Sequence, residues 1–250
     1  MVNEKTILGI IPARGGSKGI KNKNMQLIGE KPMIQFAFEA AQTSRKLDFT
    51  ILTSDNRDII AFAKQFRIHV PFVRPPSLAK DDTPMIEVIN HALEWYRNEY
   101  SYLPEYFVLL APTSPFRDAE DIDNAIIQIE KSKKESLISV CPISQHPAEC
   151  VSLGDDSTLE FINVRGMDLL HGRQQYKPFF FIDGAIYICK ISSFYEKYYP
   201  SGIIFDESSD IWIMEKRHSI DINDWFDLHL ARALLHYDNH DKASNRHFQK

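Results

Sequence analysis

Apolar residues in this chain fall in short solid runs, separated by stretches in which they recur every three or four positions. The run at 7–12 is unbroken and stops on Pro12; others stand at 49–53, 68–73, 106–110 and 137–141. Such runs suit strands buried on both faces. The intervening stretches carry a helical period. Phe36, Ala37, Ala40 and Ala41 share a face in 33–41, where Pro32 opens the stretch as a first-turn proline. Ile59, Ala63 and Phe66 do so in 58–66, with 54–56 as a turn and helix cap. Ile86, Ile89, Leu93 and Tyr96 do so up to 99, with Thr83 as the expected N-cap and Pro84 in the first turn. Ile122, Ala125, Ile126 and Ile129 do so in 118–134. Alternating strands and helices predict a doubly wound α/β sheet, in which ligands bind beyond the carboxyl ends of the strands.

After residue 142 the pattern weakens. Short apolar pieces at 151–153 and 161–164 read as edge strands within an irregular insertion, 142–178. A segment of that length in a compact domain suits a lid or a partner surface. The run 179–189 reads as a strand broken at Asp183-Gly184, where a glycine marks a bulge or a close ligand approach. Residues 211–214 form another expected strand, and 219–225 lead into a last helix expected to end near His236. One domain over 1–238 is expected, with 239–250 as a frayed polar tail, and no repeat, linker or second core is visible.

The chemistry gathers where the first run ends. Ala13-Arg14-Gly15-Gly16-Ser17-Lys18-Gly19 is followed by Lys21, Lys23 and Asn24. Glycines let backbone N–H groups approach an anion, Arg14 can offer a planar fork, and the lysines act as point charges. The spacing is neither Walker A nor the dinucleotide G-x-G-x-x-G pattern. Two further stretches sit at strand ends. Residues 74–83 hold Arg74, two prolines, Asp81, Asp82 and Thr83, readable as turn and helix-dipole chemistry or as ligand contacts. Residues 111–117 place Thr113 and Ser114 between two prolines, either to bond a ligand or to cap the next helix. With Arg173, Gln174 and the late Asp221-Ile222-Asn223-Asp224, these supply cations for a polyphosphate and carboxylate for a divalent metal, the inventory of phosphoryl or nucleotidyl transfer.

Composition narrows the setting. The chain has 250 residues, 44% of them hydrophobic, enough for one good core. A formal charge of −5 argues against general nucleic-acid binding, and no apolar run has the length to span a bilayer. The N-terminus carries an acid and enters a strand directly, unlike a signal peptide. Three widely spaced cysteines, Cys141, Cys150 and Cys189, read as free thiols in a reducing compartment, so the cytoplasm is expected.

The loop at 12–19, with Lys23-Asn24, resembles the signature of the acylneuraminate (CMP-sialic acid) cytidylyltransferases, whose relatives act on legionaminic and pseudaminic acids. Further pieces resemble the family in its order: 53–55, Arg74-Pro75 with 78–79 and 82–83, 109–110 with 112–115 and Arg117, Arg173-Gln174, 184–188 and 219–222. The resemblance covers about 6–235. It implies a Rossmann-like nucleotide-diphospho-sugar transferase fold, with a mixed, mostly parallel sheet and helices on both faces. It implies CTP and a nonulosonic acid as substrates, Mg²⁺ (or Mn²⁺), and a homodimer formed through 142–178. Arg14, Lys23 and Asp221 would be catalytic. Ala13 to Ser17, Lys23, Asn24, Arg74, Asp82 and Thr83 would contact the nucleotide. Thr113, Ser114, Arg173 and Gln174 would face the sugar acid, with Asp221 and Asn223 at the metal. Three positions depart from the family: Ala111 where a glutamine is typical, Asp183 for asparagine, and Asn223 for aspartate. The first suggests a different sugar. The rival readings are a nucleotidyltransferase for another 2-keto sugar acid or a sugar 1-phosphate, and a non-catalytic sugar-nucleotide-binding protein.

Overall fold

The computed structural model describes residues 6–156, 158–161 and 177–247. Six strands form the main sheet: β1 (Ile7–Pro12), β4 (Phe49–Thr53), β5 (Tyr106–Leu109), β6 (Ser136–Pro142), β9 (Phe180–Lys190) and β10 (Asp210–Ile213). Their order is β10-β6-β9-β5-β1-β4. β1 pairs parallel with β4 and β5, and β10 pairs parallel with β6; β9 runs antiparallel between β5 and β6. The sheet is thus mixed and mostly parallel. Two small ribbons, β2 (Leu27–Ile28) with β3 (Lys31–Pro32) and β7 (Val151–Leu153) with β8 (Leu159–Phe161), stand apart from it.

The strands alternate two apolar faces. Ile7, Ile11, Leu52 and Val108 pack under α1 (Met33–Thr43), α2 (Arg57–Gln65) and α4 (Ala119–Ser132). Leu8, Ile10, Ile51 and Phe107 pack under α3 (Met85–Tyr100) and the helical stretch that opens with α5 (Ile191–Ser193) and closes with α6 (Tyr199–Ser201). A third, smaller cluster joins Ile20, Ile28, Met33, Phe116 and Ile222 to Leu228 and Ala231 of α7 (Trp225–His247). It fastens the glycine loop, the 111–117 loop and the late acidic segment to one another, and so builds the rim where the site stands.

Several expectations change. The run 68–73 makes one isolated parallel bridge, Ile51 with His69, and forms no strand. Pro71 has no N–H to continue a ladder, so the segment only lines the sheet edge. Thr83 does not cap α3, whose first helical residue is Met85 behind Pro84. Thr83 Oγ1 instead donates to the Ser77 carbonyl within its own loop (3.3 Å). α7 runs to His247, eleven residues past the expected end, because no glycine or proline interrupts 226–247; the polar tail is helical for most of its length. Much of 142–178, including part of the expected strand 161–164, lies outside the described residues. Among the described residues Cys141, Cys150 and Cys189 are free thiols.

Candidate functional site

The glycine loop leaves the C-terminal end of β1 beside the end of β4. Parallel register pairs Pro12 with Thr53, so Asp55 falls next to Gly15. Its carboxylate accepts the Gly15 N–H (2.9 Å). A Cβ on Gly15 would stand 2.7 Å from the Asn56 amide, so only glycine lets the loop lie this close to the cap of α2. Asn56 is that cap, accepting from the N–H groups of Asp58 and Ile59 (2.8 and 3.0 Å). Asn24 Nδ2 donates to the Arg14 carbonyl (3.0 Å), folding the loop back on itself. One N–H of the Asn24 amide is therefore engaged; its second N–H and its oxygen are left for a ligand.

Arg74 is buried. Its Nε donates to Thr53 Oγ1 (3.1 Å) and its Nη2 to the Thr53 carbonyl (2.6 Å). Burial pulls its pKa down to about 10, with Asp55 opposing and Arg14 assisting. It stays charged at neutral pH and balances the Asp55 carboxylate that holds the loop. Lys23 is half-buried. Desolvation lowers its pKa; Asp221, Asp227 and Asp224 oppose the shift and Arg14 adds to it. Lys23 is thus within electrostatic reach of Arg14 in its own loop and of Asp221, far away in sequence. Lys18 and Lys21 are exposed. Asp81 bridges Arg14 (2.7 Å) and Lys18 (3.2 Å), whereas Asp82 is exposed beside it.

Opposite lies a cavity of about 340 Å³. It is lined by Pro12, Leu109, Ala111, Thr113, Gly184, Tyr187 and Asp221, together with Met85, Ile86 and residues 202–205. This last group is apolar, and apart from Gly202 the sequence did not signal it beforehand. Gly202 places it: at φ +78° it caps α6 by donating to the Tyr198 carbonyl (3.0 Å) and turns the chain toward the cavity. Thr113 lines the cavity and its carbonyl accepts the Ile222 N–H (2.8 Å), which locks the 111–117 loop to the Asp221 segment. Ser114 is fully buried and its hydroxyl has no hydrogen-bond partner. Neither hydroxyl caps α4, since Asp118 does so in a reciprocal capping box with Asp121.

Arg117 anchors this loop. It is wholly buried, donates from Nη1 to the carbonyls of Ala111 (3.3 Å) and Ala185 (3.2 Å), and has its pKa pulled to about 10 by burial. Gly184 sits at φ +75° beside a register shift between β6 and β9 and also lines the cavity, in keeping with either reading of a glycine within this strand. Asp183 is buried against Ser139 and the Ala185 N–H (3.1 Å), with its second oxygen unpartnered.

The acidic segment divides its work. Asp224 Oδ1 accepts the N–H groups of Phe226 and Asp227 (2.8 and 3.1 Å), and the Asp227 carboxylate accepts those of Asn223 and Asp224 (2.8 and 3.1 Å). Asp224 thus caps α7 through its Oδ1. Asn223 Nδ2 donates to Asp221 Oδ2 (2.9 Å). Asp221 keeps its other oxygen, and a turned Asn223 amide would present a second. One carboxylate with an amide oxygen, completed by phosphate and water oxygens, fits Mg²⁺. Among the described residues the three-membered group of candidate ligands is a different one, Asp118, Asp121 and His218. Asp118 and Asp121 serve the α4 capping box, Asp121 also bonds His218 Nδ1 (2.7 Å), and the buried Arg117 cation stands near both acids. That donor set is already satisfied and reads as structure. Arg173 and Gln174 lie outside the described residues.

A rim that holds fixed cations, a carboxylate and a cavity can grip a polyphosphate and present its phosphorus to a second substrate, which is the task of a nucleotide-dependent transferase. A cytidylyltransferase family model matches residues 8–167, and the chain belongs to that family. It is 33% identical over 238 residues to the N-acylneuraminate cytidylyltransferase of Escherichia coli O18:K1:H7, covering 94% of this chain and 54% of that protein. It is 29% identical over 232 residues to the CMP-N,N'-diacetyllegionaminic acid synthase of Legionella pneumophila, covering 92% and 96%. The chain thus spans about half the length of the first relative and nearly all of the second. Among solved structures, a CMP:2-keto-3-deoxy-manno-octonic acid synthetase complexed with CTP shares the fold, with a TM-score of 0.65 at 14% identity over 93% of this chain and 99% of that one. Among the described residues no helix is long and apolar enough to cross a membrane.

Proposed function

We propose that the chain activates a nonulosonic acid with CTP. The anomeric hydroxyl attacks the α-phosphorus, the bond to the β-phosphate breaks, and CMP-sugar and pyrophosphate leave. The observation that carries this reading is that Lys23 feels the charges of both Arg14 and Asp221, and that Asp221 lines the cavity. Arg14 and Lys23 hold the triphosphate and neutralise the charge that develops on the leaving pyrophosphate. Ala13 to Ser17, Asn24, Arg74, Asp82 and Thr83 frame the nucleotide, Arg74 acting through Thr53 and the loop it steadies. Thr113 contacts the sugar acid directly and Ser114 sits beneath it. Arg173 and Gln174 would meet the carboxylate. Asp221, with the Asn223 amide, would hold Mg²⁺ (or Mn²⁺), which lowers the charge on the phosphates when bound.

The sugar side favours a particular kind of acid. Met85, Ile86, Ile203, Ile204 and Phe205 make an apolar wall, and Ala111 offers no polar atom beyond its backbone. Acyl and methyl groups suit that wall better than a chain of hydroxyls. No lysine or arginine lines the cavity among the described residues, which speaks against a sugar 1-phosphate. A second copy of the chain is the proposed partner. Phe179, Phe180, Phe181 and Ile182, just beyond the insertion, are all at least 37% exposed, a run of apolar surface that a homodimer would cover.

The test is pyrophosphate release with Mg²⁺, crossing CTP, UTP, GTP and ATP against sialic, legionaminic, pseudaminic and 3-deoxy-octulosonic acids. Release with CTP and a nine-carbon acid is expected. A folded protein that binds CTP and turns over none of these acids would overturn the substrate reading.

A further inference from the structure

Asp81 is an acid placed where an anion acceptor is needed. Its carboxylate joins Arg14 Nη2 (2.7 Å) and Lys18 Nζ (3.2 Å), two cations of the glycine loop. All three side chains keep solvent contact, at 33%, 81% and 40% exposure for Arg14, Lys18 and Asp81, so the bridge is open to an incoming ligand. A phosphate oxygen would seek the same N–H groups, and two anions cannot share them without repulsion.

The rest of the 75–84 segment is tied to itself. Leu78 and Ala79 donate to the carbonyls of Pro75 and Pro76 (2.9 and 3.1 Å), and Thr83 donates to Lys80 and Ser77 (3.4 and 3.3 Å). Among the described residues its side-chain tie to the glycine loop is Asp81 alone. The segment then runs through Pro84 into α3, whose first two residues, Met85 and Ile86, line the cavity.

We propose that Asp81 is an internal stand-in for phosphate. In the free protein it occupies Arg14 and Lys18. An arriving triphosphate displaces it, frees the 76–84 segment, and shifts the Met85–Ile86 wall of the cavity. Nucleotide arrival therefore sets the shape of the sugar pocket. The inference rests on the reading of the glycine loop as a triphosphate site. Asp81 is a positioning residue here: it acts on Arg14 and on the loop and takes no part in the bond exchange.

The experiment compares wild type with Asp81→Asn by calorimetry, using pyrophosphate and CTP as probes, with the methyl signal of Met85 followed by NMR. Asp81→Asn should bind pyrophosphate about two- to fivefold more tightly, the scale of an exposed ion pair. The gain should fade as salt rises from about 20 to 500 mM, since screening weakens the competing pair. Pyrophosphate should move the Met85 signal in wild type, and the free variant should already show the moved position. Unchanged or weaker pyrophosphate binding by Asp81→Asn, or a Met85 signal blind to pyrophosphate, would overturn the proposal. A wild type that binds neither pyrophosphate nor CTP would instead remove the triphosphate site, a distinct failure.

Discussion

Two arginines, one two residues past a strand proline and one eight past a strand end, do opposite jobs in this molecule. Arg14 stands in the loop after β1, one-third exposed, its guanidinium held among the described residues by the side chain of Asp81. Arg117 closes the loop after β5, wholly buried, with its Nη1 bonded to two backbone carbonyls. Both loops leave the same rim of the sheet, and both carry prolines and small residues. The first loop is held by acids placed around it, Asp55 on the Gly15 N–H and Asp81 on Arg14, which leaves its cations on the surface. The second is held from inside by its own cation. An exposed charge tied to a displaceable partner is free to meet a ligand; a buried one bonded to carbonyls has become part of the frame.

Substitution should separate the two. Arg14→Ala and Asp221→Ala should each lower turnover on the order of a hundredfold or more, as loss of a group that meets developing charge does. Their circular dichroism and melting temperature should stay close to wild type, because both side chains are partly exposed. Full activity in either variant would remove it from the site. Arg117→Ala should do the reverse. It leaves the carbonyls of Ala111 and Ala185 short of a partner and opens a void, at a cost of about 3 kcal/mol in urea unfolding. Arg117→Met, which fills the volume, should recover part of that stability. If Arg117→Ala unfolds like wild type but loses activity, the two loops are more alike than their burial implies.

The comparison also explains what could be read from the chain before its structure. β1, β4, β5 and β6 were legible because strands covered on both faces are solid apolar runs, and α1 to α4 because one face of each is apolar. The run 68–73 looked the same, but Pro71 at a sheet edge stopped its ladder. Arg14, Lys23 and Asp221 stood out as charges in a basic glycine loop and a late acidic segment, and their roles came from the family resemblance. Asp55 was visible as a strand-end residue; β1 and β4 both end at the Pro12–Thr53 pair, which brings it near Gly15. Arg117 was read as part of a ligand loop, since nothing in sequence tells a buried arginine from an exposed one. The apolar wall at 202–205 had no signal except Gly202 after Pro200-Ser201, because it depends on where a chain turn delivers it. Asp224 looked like a spare ligand until the cap geometry of α7 used it.

Lys23 offers a subtler probe of the exposed loop. Burial lowers its pKa below that of an ordinary lysine, and the nearby acids only partly offset this. For a lysine a lowered pKa means the proton leaves at a lower pH than usual. Attraction for the triphosphate should therefore weaken as pH rises through a range below the ordinary lysine value. Lys23→Arg keeps its charge throughout, so the alkaline loss of CTP affinity should move to higher pH. An alkaline limb that is the same in both proteins would assign that limb to another group.

The smallest effect expected is at Asn223. Its amide donates to Asp221, so in the free protein it neutralises part of the charge of that carboxylate without adding any. Asn223→Asp replaces an attractive contact by two carboxylates side by side. Without a divalent ion the pair repels, at a cost that solvent limits because residue 223 is exposed. With Mg²⁺ between them the same two groups become a better cradle than one acid and an amide. The variant should therefore need less Mg²⁺ for half-maximal rate, by about two- to threefold, with kcat at saturating Mg²⁺ little changed. A Mg²⁺ titration of both proteins decides it. Loss of activity at every Mg²⁺ concentration would mean that the amide N–H itself is required, and that Asn223 orients Asp221 in a way a carboxylate cannot.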